Sequence, residues 1–319
     1  MSGASYLSAG IAIGFGAIGA AVGEGYCAGH ATRASARRPN LSGDIVKNML
    51  VGQAVAESAG IFALVVSMLL IFMDFHTIHA SSLSSAAAIL GAGICIGFGA
   101  IGSGIGSGYP AATACEGLAR QPQVASQLTT NMLIGSAVCQ TPAIFAMVVA
   151  FMLMFMDFSG SPVSPTWAAL LGAGFSTGLA AIGSGIGGGM AAGASCEGVA
   201  RNPVTLGATT TTMLVGQAVA QTPAIFGLLV SFILMFKSYP ASSALAAPMA
   251  LLSAGICMGF GSIGPGYGNG ITAESAVAWV SRNHEFTAVL TRTMLVGQAV
   301  AQSTAIYAMV VALVLIFVF

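Results

Sequence analysis

Long apolar runs broken by short polar stretches set the pattern of this chain. Eight such runs, over 5–34 and 45–73, 84–118 and 127–156, 167–199 and 208–236, then 246–280 and 287–318, each exceed the roughly 20 residues that carry a helix across a bilayer. Their uninterrupted apolar character predicts helices rather than barrel strands. The runs come in pairs. A glycine-rich run leads through a polar loop into one rich in Val, Leu, Met and Phe. The stretch Met49–Ala56 recurs at Met132–Cys139, Met213–Ala220 and Met294–Ala301, at spacings of 83, 81 and 81 residues. The expected fold class is an all-α membrane protein of four tandem helical hairpins, over 1–78, 79–161, 162–242 and 243–319.

The first run of each pair carries glycine at every second to fourth position, as in Gly97, Gly99, Gly102, Gly104, Gly106 and Gly108. Such small residues let helix backbones approach closely. Gly14–Gly19 also matches GxGxxG, but no strand precedes it and no acidic residue follows at the required distance, so a dinucleotide site is excluded. No Walker A run exists.

Charge is scarce, at 6% of residues, with nine Lys plus Arg against nine Asp plus Glu. A lipid solvent accounts for that scarcity, and the lack of clustered positive charge argues against nucleic acid. Arg33, Arg37, Arg38, Lys47, Arg120, Arg201, Arg282 and Arg292 flank the intra-hairpin loops, and only Lys237 lies at the opposite ends. By the positive-inside rule the loops are expected on the cytoplasmic side, with both termini and the linkers near 74–83, 157–166 and 237–245 on the other. No basic n-region precedes the first run, which therefore reads as a retained helix. Cys27, Cys95, Cys115, Cys139, Cys196 and Cys257 all lie in apolar runs without a CxxC pair and read as packing residues.

Glu24 and Glu57 are the two ionisable residues expected deep within the spans. Glu24 lies 15 residues before Pro39. At 1.5 Å per residue both carboxyls sit about 22 Å from the loop, at one level of one hairpin. Charge at that depth is costly and marks function. A close pair cannot stay doubly ionised without a cation, so the pair describes a carrier of a proton or cation. In the other repeats the Glu57 position is Gln140, Gln221 and Gln302, and the Glu24 position is Ser107, Gly188 and Asn269. Glutamine keeps the shape of glutamate without an exchangeable charge. Pro142 and Pro223 follow two of these glutamines and free the carbonyls of Val138 and Val219, which either receive a neighbouring glutamine amide or help bind the cation of an adjacent site, the alternative being a simple kink that accommodates ring curvature.

The glycine-rich Ala100–Gly106, the loop Glu116–Pro122 and the stretch Val55–Phe62 together resemble the c subunit, or proteolipid, of F-type ATP synthases. The resemblance implies an arc of a two-layer rotor ring, built by several copies of the chain. It implies that Glu57 loads and releases H⁺ or Na⁺, with Glu24 at the first-helix ligand position, Ser58 supplying a hydroxyl and Val55 a backbone carbonyl. Gln53, one turn away, is expected to support Glu57, since Phe62 replaces a supporting tyrosine that survives only as Tyr307. Arg37, Arg38 and Pro39, Arg120, Gln121 and Pro122, and Arg201, Asn202 and Pro203 match the loop that seats the central stalk. Arg282 opens a divergent fourth loop. An a-type stator subunit would supply an essential arginine. Ordinary c subunits are single hairpins, and loss of carboxylates after fusion is a V-type trait. The expected function is non-catalytic ion translocation, favouring ATP-driven pumping, with no cofactor beyond the ion. A secondary transporter or channel built from repeats, and a purely structural membrane ring, are the alternatives.

Overall fold

The structure, a computed structural model, describes residues 2–73, 75, 83–158 and 160–318. Hairpin 1 comprises helices Ser2–Arg37 and Ser42–Phe72, and hairpin 2 comprises Leu83–Arg120 followed by Ala125–Cys139 and Thr141–Phe155. Hairpin 3 comprises Val163–Arg201 and Leu206–Phe236, and hairpin 4 comprises Ala246–Val280 and Thr287–Val318. Among the described residues, eight helical segments of 34 to 39 residues are long and apolar enough to cross a membrane. At that length they reach roughly 50 Å, beyond a hydrocarbon core of about 30 Å, so their ends extend past it. The polar residues at the loop ends continue the helices, which is why the apolar pattern alone draws them short. The first linker falls almost wholly outside the described residues. In the second, Ser164 is non-helical within Val163–Arg201.

Each loop is one short 3₁₀ turn: Pro39–Leu41, Pro122–Val124, Pro203–Thr205 or His284–Phe286. Proline fixes the first φ of the turn in three of them, where a missing N–H costs nothing. Hairpin 4 makes the same turn from His284 without it.

The first helices touch one another in chain order, each second helix packs on its own first helix, and the second helices of hairpins 1 to 3 pack also on the first helix of the following hairpin. Glycine makes the first contact possible. A Cβ on Gly106 would lie 2.1 Å from the Gly185 carbonyl oxygen, and one on Gly187 would lie 2.2 Å from that of Gly266. Backbone therefore meets backbone along this row. The first helices of hairpins 2 and 3 are buried over most of their length. Leu70, Ile89, Leu153, Leu170, Leu234 and Leu251 fill the core at the linker end, and Ile45, Leu118, Leu128 and Met132 fill it at the loop end. All six cysteines are free, and five of them are buried.

Candidate functional site

The repeat positions of Glu24 and Glu57 hydrogen-bond to each other in hairpins 2 and 4, and in hairpins 2 to 4 a side chain there reaches the preceding hairpin. Gln140 Nε2 donates to Ser107 Oγ of its own hairpin at 2.7 Å and to the Val55 carbonyl of hairpin 1 at 2.9 Å. Gln221 Nε2 donates to the Val138 carbonyl of hairpin 2 at 2.6 Å. In hairpin 4 Asn269 Nδ2 donates to Gln302 Oε1 at 2.9 Å and approaches the Val219 carbonyl of hairpin 3 at 3.4 Å. Each rung seats a carboxamide of one hairpin on the same carbonyl of the hairpin before it.

Proline frees two of these carbonyls. Pro142 has no N–H for Val138, and the second helix of hairpin 2 breaks at Gln140. Pro223 does the same for Val219, although Leu206–Phe236 stays continuous. The expected glutamine amide arrives at Val138, whereas at Val219 the donor is asparagine. Val55 accepts without a proline, because a carbonyl has two lone pairs and its helical bond uses one.

No preceding hairpin packs on hairpin 1 in the structure, and its site differs accordingly. Gln140, Gln221 and Gln302 are 6%, 8% and 9% exposed, whereas Glu57 is exposed. Glu24 is half-buried, and the two carboxyls lie close enough for their charges to interact. The other expected members make backbone contacts within the single chain. The Val55 carbonyl serves Gln140 of hairpin 2. Ser58 Oγ donates back to the Ala54 carbonyl at 3.1 Å, and Gln53 Nε2 donates to the backbone carbonyl of Glu24 at 3.2 Å. A side chain one turn from a carboxyl can equally turn across to the facing helix, and here the facing carbonyl takes the amide.

A family model that describes the ATP synthase c subunit matches residues 7–70, 90–153, 171–234 and 252–315, one match per hairpin and most of the chain. The chain belongs to the c-subunit family of ATP synthases. The K subunit of the A-type ATP synthase of Methanocaldococcus jannaschii is 32% identical over 229 residues, 72% of this chain and 94% of that protein. The ATP synthase c subunit of Thermotoga petrophila is 46% identical over 67 residues, 21% of this chain and 79% of that protein. Its counterpart in Natranaerobius thermophilus is 48% identical over 71 residues, 22% of this chain and 81% of its own length. This member of the c-subunit family is thus a multi-pass membrane protein, non-catalytic and of the ion-translocating rotor class.

In this family member the loop residues split into two groups. Arg37, Arg38 and Pro39 are exposed. Arg120 and Arg201 instead belong to a network on the first helices: His30 Nδ1 lies 2.8 Å from Glu116, Arg120 lies 3.2 Å from Glu116 and 3.7 Å from Glu197, and Arg201 lies 2.6 Å from Glu197. Arg282 stacks over Trp279 at 4.8 Å. Gln121 buries its side-chain oxygen, and Asn202 Nδ2 donates to the Ser281 carbonyl. Glu274, half-buried near the loop end of Ala246–Val280, joins Glu116 and Glu197 at that level and was not among the sequence candidates. With Tyr26, His30, Tyr109, Glu116 and Glu197 it lines a cavity of about 270 Å³. The i,i+4 pairs Glu116–Arg120 and Glu197–Arg201 were the available signal.

Proposed function

We propose that this chain is a segment of a rotor ring that carries one H⁺ or Na⁺ per chain on Glu57, with Glu24 as the partner carboxyl, and that the ring works as an ATP-driven pump. The observation that carries this reading is the exposure of Glu57, where three equivalent glutamines are buried against the preceding hairpin. The repeat spacing makes Val300 the equivalent of Val55 and Ser303 that of Ser58. Both stand at the open edge of hairpin 4, with Val300 68% exposed. Set beside a second copy, Glu57 takes the relation to Val300 that Gln140 has to Val55.

The atoms converging there are then two carboxyls, a carbonyl and a hydroxyl. This donor-poor, oxygen-rich set suits a proton or Na⁺. At the glutamine junctions an amide donor already occupies the carbonyl, so no cation is needed or admitted. Every basic residue of the chain lies toward a loop or a linker. The arginine that would discharge Glu57 therefore comes from an a-type stator subunit, while Arg37, Arg38 and the 3₁₀ turns face central-stalk subunits on the cytoplasmic side.

Gearing supports the direction. One carboxylate site in four hairpins gives a quarter of the ions per turn that a ring of fully charged single hairpins carries. If three such chains close a ring and the catalytic head uses three ATP per turn, as the family implies, about one ion moves per ATP, and a charge crossing 100 mV returns roughly 2.3 kcal/mol, too little to make ATP but enough leverage to drive an ion up a steep gradient. The test is Glu57→Gln in the assembled complex, with carbodiimide labelling of the wild type. Labelling at Glu57, with transport and coupled ATPase lost in a ring that still assembles, is expected. A Glu57→Gln ring that pumps normally overturns the proposal.

A further inference from the structure

Gln53 has two amide hydrogens and, among the described residues, one acceptor. Its repeat equivalents use both. Gln217 Nε2 donates to Gly188 of its own hairpin and Gly135 of the preceding one, each at 3.0 Å. Gln298 Nε2 does the same with Asn269 and Gly216, again at 3.0 Å each. Each amide bridges the two helices of its own hairpin to the hairpin before. Gln53 makes the first bond, to Glu24, and lacks only the second. We infer that copies of this chain join through Gln53, whose free amide hydrogen clamps the Gly297 carbonyl of a second copy. The inference rests on the ring reading above but not on the ion.

Gly297 is the residue that the repeat spacing pairs with Gly52, Gly135 and Gly216. Those three glycines are buried, each under an alanine of the next hairpin: a Cβ would come to 2.4 Å from Ala111, 2.6 Å from Ala192 and 2.6 Å from Ala273. Gly297 is half-exposed and lacks such a cover. Ala28 is the equivalent alanine of hairpin 1 and stands half-exposed at the other edge.

The first helices repeat the complementarity. Gly108, Gly189 and Gly270 press on Gly23, Gly106 and Gly187 of the preceding hairpin. Gly25, their equivalent in hairpin 1, has nothing within 4 Å. Gly268, equivalent to Gly23, meets only Ala301 of its own hairpin, at 3.8 Å. Both edges keep glycine where the internal junctions bury it, which selects a second copy of this chain as the occupant.

The clamp is absent at one internal junction, between hairpins 1 and 2. Ser136 stands at the Gln53 position there, buried and without a hydrogen-bond partner. That junction has the peptide linker to hold it, whereas the seam between copies has none.

The experiment uses rings purified in detergent. In rings reconstituted from an equal mixture of ¹⁵N-labelled and ¹³C-labelled copies, solid-state NMR is expected to show a contact between Gln53 Nε2 and the Gly297 carbonyl carbon, which in that mixture can arise only across copies. Gln53→Leu is expected to leave the isolated chain folded while weakening association between copies by roughly three- to tenfold per seam. Wild-type rings of this chain that lack the contact, or Gln53→Leu rings as stable as wild type, overturn the clamp and leave the ring reading standing. Native mass spectrometry showing other c-type subunits at every seam overturns both.

Discussion

Gly189 and Gly25 occupy the same repeat position and should respond to alanine in opposite directions. A Cβ on Gly189 would stand 2.1 Å from the Gly106 carbonyl oxygen and 2.5 Å from its Cα. Contact between carbon and a carbonyl oxygen settles at about 3.3–3.6 Å, so two long helices must part by on the order of 1 Å. Nothing flexible can yield, because the obstacle is backbone. Overpacking of this kind costs about 1–3 kcal/mol, and it outweighs the gain of roughly 0.8–1 kcal/mol for alanine over glycine in a helix. Gly25 has nothing within 4 Å, so Gly25→Ala should keep the helix gain and stabilise the isolated chain. Denaturation of the isolated chain by SDS in mixed micelles, followed by loss of helix signal, reads both variants. In assembled rings the order should change, with Gly25→Ala now loosening the seam. Isolated Gly189→Ala chains as stable as wild type would show that the first helices do not touch as described.

Glu24→Gln should retain some transport but shift its pH or Na⁺ dependence, because it removes one of the two carboxyls of the proposed site; vesicle transport across a pH and Na⁺ series decides, and unchanged dependence on both demotes Glu24 to a structural role. The ratio of ions moved per ATP in vesicles should lie near one, and a ratio of about three or more, or ATP synthesis at modest potential by a ring of this chain alone, sinks the low-gear reading.

Hairpin number, helix type and the unique carboxyl pair are all legible in the repeats, because a bilayer forces long apolar helices and the recurrence of Met49–Ala56 aligns the four hairpins residue by residue. The wiring between hairpins is not legible. Val55 and Glu57 lie two residues apart, and helical geometry says that they point to different sides without saying which neighbour each side meets. The Val55 carbonyl turns to Gln140, 85 residues on, and Gln53 turns to a backbone atom rather than to a side chain. Ser58 illustrates a further blind spot: a hydroxyl in a helix can always fall back on the carbonyl four residues earlier, and here it takes Ala54. Glu274 escaped notice because no partner lies on its own helix. Its neighbour Glu197 comes from hairpin 3.

The three carboxamide rungs lie within one chain, and Glu57 lies at its edge. On the proposed reading, the junction that opens and recloses for an ion in a ring of such chains is the one no linker spans. The other three are sewn by both a covalent strap and a neutral hydrogen bond. Stiffness and compliance would then be separated around the circumference: each chain would turn as a four-hairpin block, and the ring would yield mainly at its seams. Torque from the stalk would reach the membrane in coarse steps of a whole chain, with the give concentrated at the site where charge is exchanged.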